Sequence, residues 1–494
     1  MIRDEQKSGA LPRFFVVVPP GETCYTVEKQ RRWKGFVLAF VSKKKDTDMT
    51  EGSIPRLLIT FALPLMIGNI FQQLYNTVDS IIVGNFVSKQ ALAAVGCTGP
   101  IINALIGIFV GLSSGAGVVI SQYYGARDRE RLHSSVQTTI ALTLVMCVVL
   151  TALGVWSTPF MLRLMDTPED VMGAASEYLR IYFWGISGML LYNIGSGILR
   201  AVGDSTHPLY FLIFSATTNT VLDLLFVKVF SWGIAGAAIA TIVAQFLSAI
   251  LVMRMLIVTD ADYRVVPSAI RFDTPILKRI CTIGIPTSLQ MGITAVSNVF
   301  VQSYINRFES SCMAGWAAYN KLDAFAMLPL MGFSVAVTTF VGQNFGAGKL
   351  DRARRGPLYG LGIGTIIMIV ILTPMMVFAP TLVRLFNQES EVIAFGTLFL
   401  RMITPFYLLC TVNQIYAGAL RGVGDTKATM FIMLFSFVLF RQIYLFMAWH
   451  LGGGIRAIAL GYPMGWIMCS TIILVYYYRF ARKRAIAQAE KGLA

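Results

Sequence analysis

The sequence predicts an all-α membrane protein of about twelve transmembrane helices, arranged as two parallel-repeat six-helix bundles. Three observations predict it. Of 494 residues, 55% are hydrophobic and only 14% charged, with a mean hydropathy of +0.65, whereas a soluble chain carries about a quarter charged residues. Apolar segments of about 20 residues, long enough to cross a bilayer, recur from Ile54 to Phe480. The second half of the chain also repeats the first.

In chain order, residues 1–48 differ from the rest. Phe14–Val18 and Gly35–Val41 are apolar but too short to span, and no cleavage site follows a signal core. Met49-Thr50-Glu51-Gly52-Ser53-Ile54-Pro55 reads as a natural start, with polar residues before a helix and Pro in its first turn. Residues 1–48 are therefore expected to be a poorly structured extension from an over-called start site; the alternative is a short basic tail. Hydropathy then places a six-span lobe in 49–258, a polar linker in 259–273 (Asp260, Asp262, Arg264, Pro267), and a second lobe in 274–480. A basic tail occupies 481–494.

The net charge of +15 does not indicate nucleic acid, because the basic residues cluster in short loops. Even-numbered loops hold Arg127, Arg129 and Arg131, then Arg254, Arg264, Arg271, Lys278 and Arg279, then Lys349, Arg352, Arg354 and Arg355. The opposite loops hold single residues such as Lys89, Arg163, Lys228, Arg307 and Arg384. An asymmetry of roughly three to one puts both termini in the cytoplasm. Seven cysteines without a CxxC imply neither a disulfide framework nor a metal site.

Gly197-Ile198-Leu199-Arg200-Ala201-Val202-Gly203-Asp204 recurs as Gly418-Ala419-Leu420-Arg421-Gly422-Val423-Gly424-Asp425. Gln122-Tyr123-Tyr124-Gly125-Ala126 recurs as Gln343-Asn344-Phe345-Gly346-Ala347, and Trp232-Gly233-Ile234 matches Gly453-Gly454-Ile455. Pro64 matches Pro286 with one residue of slippage. A shared offset marks duplication. Six spans return the chain to its starting side, so the halves are parallel copies about an axis along the membrane normal. Facing lobes of this kind are the architecture of alternating access.

Within the apolar run Ala216–Phe226, Asn219 and Asp223 lie four residues apart, on one helix face. A carboxylate in mid-membrane costs about 2.5–3.5 kcal/mol or more. Asp79 lies deep in the first span, so two acids and an amide come from the first half alone. Oxygen ligands suit a proton or a hard cation such as Na+, or the acids simply pair with buried polar neighbours. Thr241 joins them as a ligand or bonds its own backbone. Asp323 is the second half's comparable acid, and Arg441, Arg180 and Arg401 either pair with such acids or snorkel. A substrate cavity is expected from the polar face of the first span (Asn69, Gln72, Gln73, Tyr75) with Met189, Tyr192, Gln290, Met291, Asp323, Phe325, Met327 and Met331. Methionine-rich walls repack around varied ligands, although for any single Met or Phe ordinary packing or lipid contact is the better reading. The glycine stripes Gly107/Gly111/Gly115 and Gly356/Gly360/Gly364 read as close helix packing. Gly111-Leu112-Ser113-Ser114-Gly115 matches a hydrolase elbow by chance, since it lies in a membrane helix with no histidine placed as base. No catalytic constellation remains, and no ATP-binding loop is present.

The duplicated layout, the Val341-Gly342-Gln343-Asn344-Phe345-Gly346-Ala347-Gly348 loop, the paired LRxxGD segments and the Thr77-Val78-Asp79 region resemble the multidrug and toxic compound extrusion (MATE) family, over about residues 50–480. The resemblance implies two bundles around a V-shaped cavity and cation-coupled antiport of organic cations and drugs in a bacterial inner membrane. In the prokaryotic branch with its cation site in the amino-terminal lobe, the matching positions are Asp79, Asn219, Asp223 and Thr241. Acids that other members carry in the seventh and tenth helices are absent; Gln290, Thr294 and Gln414 stand in those helices. The expectation is a monomeric antiporter using H+ or Na+ and no cofactor. The alternative is a lipid-linked oligosaccharide flippase of related fold, which calls for a more cationic cavity.

Overall fold

The computed structural model describes residues 48–165 and 167–481. The expectations for the amino-terminal extension and the basic tail fall on residues outside these. No strand occurs among the described residues. The spans are α1 (Ile54–Phe86), α2 (Lys89–Ala126), α3 (Arg129–Leu164), α4 (Glu169–Trp184 and Ile186–Ala201), α5 (Thr206–Asp223, ending in a π-helical turn Leu224–Val229) and α6 (Gly233–Val258). The second lobe has α7 (Thr274–Ile305), α8 (Ser310–Gly346), α9 (Leu350–Val377) and α10 (Ser390–Ile403 and Tyr407–Gly422). It ends with α11 (Thr426–Leu434, a π-helical turn Phe435–Phe440, and Arg441–His450) and α12 (Ile455–Ala459 and Gly461–Tyr476).

Local chemistry sets the ends of these helices. Asp128 accepts from Arg131 N–H at 3.0 Å and caps α3; Asp273 does the same for α7 through Ile276 N–H at 3.1 Å. Pro55 and Pro275 sit in first turns, where a missing N–H costs nothing. After α2 the chain reverses through Arg127 at φ +56°, where the repeat places Gly348 at φ +70°. A side chain held there costs about 1–2 kcal/mol, and the glycine copy escapes it.

Among the described residues, eleven helices are long and apolar enough to cross a membrane. The remaining predicted span, α4, comes as two 16-residue pieces. The first carries Glu169, Asp170, Glu177 and Arg180, and the break falls at Gly185, where a Cβ would strike Ile242 of α6. Its repeat partner α10 breaks at the 3₁₀ turn Thr404–Phe406, where Pro405 removes a helical donor. The linker is not loose: Tyr263 and Val265 are buried in the amino-terminal lobe's core, and Gln137 of α3 donates to Arg264 O at 2.9 Å.

The lobes meet most extensively through α2 and α7, with α8 packed on both α1 and α2. The first glycine stripe explains the close approach: a Cβ on Gly111 would overlap Ser288, and one on Gly115 would lie 2.7 Å from Gly284 N. At the end bearing the basic loops, the duplicated Gln…Gly segments cross. Gln122 Nε2 donates to Gly422 O at 2.8 Å, and its copy Gln343 Nε2 donates to Ala201 O at 2.8 Å. A Cβ on Gly125 would overlap the Gln343 carbonyl, and one on Gly346 the Gln122 carbonyl. Both glutamines are fully buried.

A polar strap reinforces this closure. Met49 N–H donates to Gln343 Oε1 at 3.1 Å, and Asn344 Nδ2 donates to Met49 O at 3.0 Å. Asp48 and Glu51 reach Arg127 at 3.5 and 3.7 Å, and Glu51 reaches Lys349 at 4.0 Å, so an acidic segment bridges basic loops of both lobes. Partial burial pulls the Asp48 pKa up, but hydrogen bonds from Thr50 and the charges of Arg127 and Lys349 outweigh it and hold the carboxyl below its ordinary value. Its contribution is therefore present above the unfolded-state pKa and lost as pH falls through the lower folded value. These pairs are exposed and worth about 1 kcal/mol together. Asp48→Asn with Glu51→Gln is expected to lower the melting temperature by about 1–2 °C at low salt, with the loss fading at high salt. An equal loss at both salt concentrations, measured by thermal unfolding in detergent, would contradict the electrostatic account.

Candidate cation site

Three helices converge on the acids. α1 supplies Asp79 (8% exposed), α5 supplies Asn219 and Asp223 (2% and 0%), and α6 supplies Thr241 (5%). The four-residue spacing on α5 sets Asn219 one turn from Asp223 on the buried face. The carboxyl groups of Asp79 and Asp223 lie within hydrogen-bonding reach of each other. With its nitrogen turned toward Asp223, the Asn219 amide donates to Asp223 Oδ2 at 3.1 Å and accepts from Thr241 N–H at 3.3 Å. Turned the other way, its Nδ2 faces Thr241 Oγ1 at 3.4 Å. The Thr241 hydroxyl donates to Ala237 O at 3.0 Å. Oδ1 of each aspartate is buried with no partner among the described residues.

Two carboxyl groups in contact away from water either share a proton or clamp a cation. Buried polar atoms left unpaired are costly, so two orphan carboxyl oxygens at one point describe a receptive centre.

Three residues around this centre carried no signal in the sequence. Tyr178 and Tyr182 of α4 and Gln245 of α6 join Tyr75 as its neighbours, with Gln245 within reach of the Tyr75 and Tyr182 hydroxyls. The Tyr182 hydroxyl also donates to Met189 Sδ at 3.4 Å. Aromatic residues at helical spacing read as core, and only their place near the acids and Tyr75 gives them another meaning.

The residues proposed for a substrate cavity spread across both lobes. Asn69 Nδ2 crosses from α1 to Leu328 O of α8 at 3.3 Å; Gln72 is exposed and Gln73 half-buried. Tyr192 donates to Pro208 O at 3.1 Å within its own lobe, and Gln290 Nε2 lies against Met433 Sδ at 2.8 Å. Met327 is half-buried beside Cys410, whereas Met291, Phe325 and Met331 are exposed. A groove of about 1020 Å³ runs elsewhere, between α7 and α11, lined by Phe300, Tyr304, Arg307, Phe435 and Gln442 among others. None of the cavity residues named from the sequence lines it.

Asp323 is held by a phenol, not a cation: it accepts from the Tyr407 hydroxyl, which lies 3.2 Å from that of Tyr319. Arg441 bonds Ser297 and Asn298, while Arg180 and Arg401 are exposed.

A duplicated helical membrane bundle with two buried acids brought together inside one lobe is the build of a transporter. A family model, MatE, matches residues 64–225 and 286–447, once in each lobe. The chain belongs to the MatE family, whose members are transporters and not enzymes. It is 32% identical over 448 residues to a probable multidrug resistance protein, YpnP, of Bacillus subtilis, covering 90% of this chain and 98% of that one. It is 26% identical to a probable multidrug resistance protein, NorM, of Thermotoga maritima, covering 89% and 95%. Among solved structures it resembles an outward-facing multidrug resistance MATE transporter of the MOP superfamily, with a TM-score of 0.84 and 23% identity over 90% of this chain and 98% of that one.

Proposed function

We propose that the protein is a cation-coupled multidrug efflux antiporter, exporting organic cations and drugs from the cytoplasm against an inward flow of H+ or Na+. The observation that carries this reading is that two buried carboxyl groups, Asp79 and Asp223, on separate membrane helices lie within hydrogen-bonding reach of each other. Relatives named for multidrug resistance supply the substrate class. Nothing comparable supports the flippase reading.

An arriving cation neutralises the pair and draws α1, α5 and α6 together, with Asn219 and Thr241 fixing its oxygen cage. Its departure leaves like charges in contact, and α1 moves relative to α5. α1 also packs on α8 of the other lobe, so that movement reaches the lobe boundary. The ion shifts the conformational balance only by its differential affinity for the two states. All four ligands come from one lobe, so the site is complete in a monomer.

The test is efflux of a lipophilic cation from vesicles with proton and Na+ gradients imposed separately. One of the two gradients alone should drive efflux, and the effective one identifies the ion. Efflux that persists with both gradients collapsed would overturn the proposal.

A further inference from the structure

The family-model matches begin at Pro64 and Pro286, 222 apart, and this shift carries to Asp79. Asp204/Asp425 and Gly233/Gly454 are 221 apart, but the π-helical turn Phe435–Phe440 adds one residue before Arg441 and the turn Leu224–Val229 adds one after Asp223. Over Asn219–Asp223 the equivalents are therefore again 222 apart. By that register Val301 stands for Asp79, Leu445 for Asp223 and Arg441 for Asn219; both apolar residues are 0% exposed. In the last span of each lobe the Gly233/Gly454 match places Tyr462 where Thr241 stands. The carboxy-terminal lobe has thus lost both acids of the site and gained a guanidinium at its centre.

Arg441 is 3% exposed. It donates to Ser297 Oγ at 2.7 Å and Asn298 Oδ1 at 2.9 Å on α7, and its guanidinium lies 4.9 Å from the Tyr462 ring centroid on α12. Gln442 Nε2 adds a 3.0 Å bond to the same Ser297 hydroxyl. No carboxylate pairs with Arg441 among the described residues, and its Nε has no partner there. A buried cation held by a hydroxyl, an amide oxygen and a ring face is costly in a membrane. It ties α7, α11 and α12, the repeat equivalents of the α1, α5 and α6 that the acids bring together.

We propose that Arg441 is a tethered cation standing in the carboxy-terminal copy of the coupling site. It keeps α7, α11 and α12 permanently in the gathered arrangement that the amino-terminal lobe reaches only when an ion is bound. One lobe switches and the other serves as a fixed reference. This rests on the coupling reading of Asp79 and Asp223.

Hydrogen exchange of the purified protein, at low and high pH and with and without Na+, tests it. In the wild type, ion-dependent protection should change in α1, α5 and α6 and stay constant in α7, α11 and α12. Arg441→Ala should speed exchange in α7, α11 and α12 by about tenfold or more under every condition; added guanidinium should reverse this, and Arg441→Lys should largely preserve protection. Equal ion responses in both lobes of the wild type would overturn the proposal, as would unchanged protection in Arg441→Ala. If Arg441→Ala does not fold, the Lys variant and the wild-type lobe comparison still decide. Asp79→Asn separates the two readings. An undiminished response in α1, α5 and α6 sinks the coupling site, whereas loss of that response with α7, α11 and α12 unaffected leaves only Arg441 in question.

Discussion

Asp79→Asn and Asp223→Asn should each insert and fold normally yet lose gradient-driven efflux to background, a fall of about 100-fold or more. Asparagine nearly matches aspartate in volume and still satisfies polar neighbours, so neither packing nor insertion gives a reason for loss. A neutral side chain is in fact cheaper in the membrane than a carboxylate. What disappears is the pair: with one amide and one acid, no arriving cation is needed to neutralise contact between two charges. Asn219→Ala keeps both acids but removes the 3.1 Å donor to Asp223 and the link toward Thr241. It should weaken ion dependence by about 10-fold, consistent with one lost hydrogen bond to a charged group at about 1.5–3 kcal/mol. Efflux at wild-type rates in both aspartate variants, measured in the same vesicles with surface expression matched, would remove the coupling site altogether.

The duplication was legible because its two copies carry the same job. Gln122 and Gln343 cross to opposite lobes with identical 2.8 Å bonds, so neither copy can drift without breaking the other. The acids were legible because charge in an apolar run has few explanations. Tyr178, Tyr182 and Gln245 were not, since aromatic and amide residues are ordinary in membrane helices until a neighbour is known. The fate of Asp323 was hidden for the same reason. Composition offers arginines as its partners, but three-dimensional proximity gives it Tyr407. By sequence Arg441 is a candidate partner for an acid, and only the repeat register of α11 against α5 gives it a different place. The expected cavity residues share only a side-chain type along single helices, and type alone does not say which lobe face each helix turns inward.

Gly125→Leu should abolish transport and hold the basic-loop end of the protein open. Any Cβ at this position overlaps the Gln343 carbonyl, and backbone cannot swing aside as a side chain can. Overpacking of this kind costs about 1–3 kcal/mol or more, and it falls only on the state in which the lobes touch here. Every 1.4 kcal/mol changes a population ratio about tenfold, so a protein that alternates between near-equal states would be driven almost wholly into one. The readout is thiol labelling in a background lacking the seven native cysteines. Ser121→Cys lies at 0% exposure, on α2 beside Gly342 of α8, and should react slowly with an impermeant reagent applied from the basic-loop side. Adding Gly125→Leu should raise that rate by about 10-fold or more. Gly346→Leu, the repeat equivalent, should act alike because it meets the Gln122 carbonyl. Gly117→Leu, on the same helix with nothing within 4 Å of its Cβ, should leave both labelling and transport near the parent. Labelling that stays slow in Gly125→Leu and Gly346→Leu would show that the crossed segments are not the closure that alternation must break.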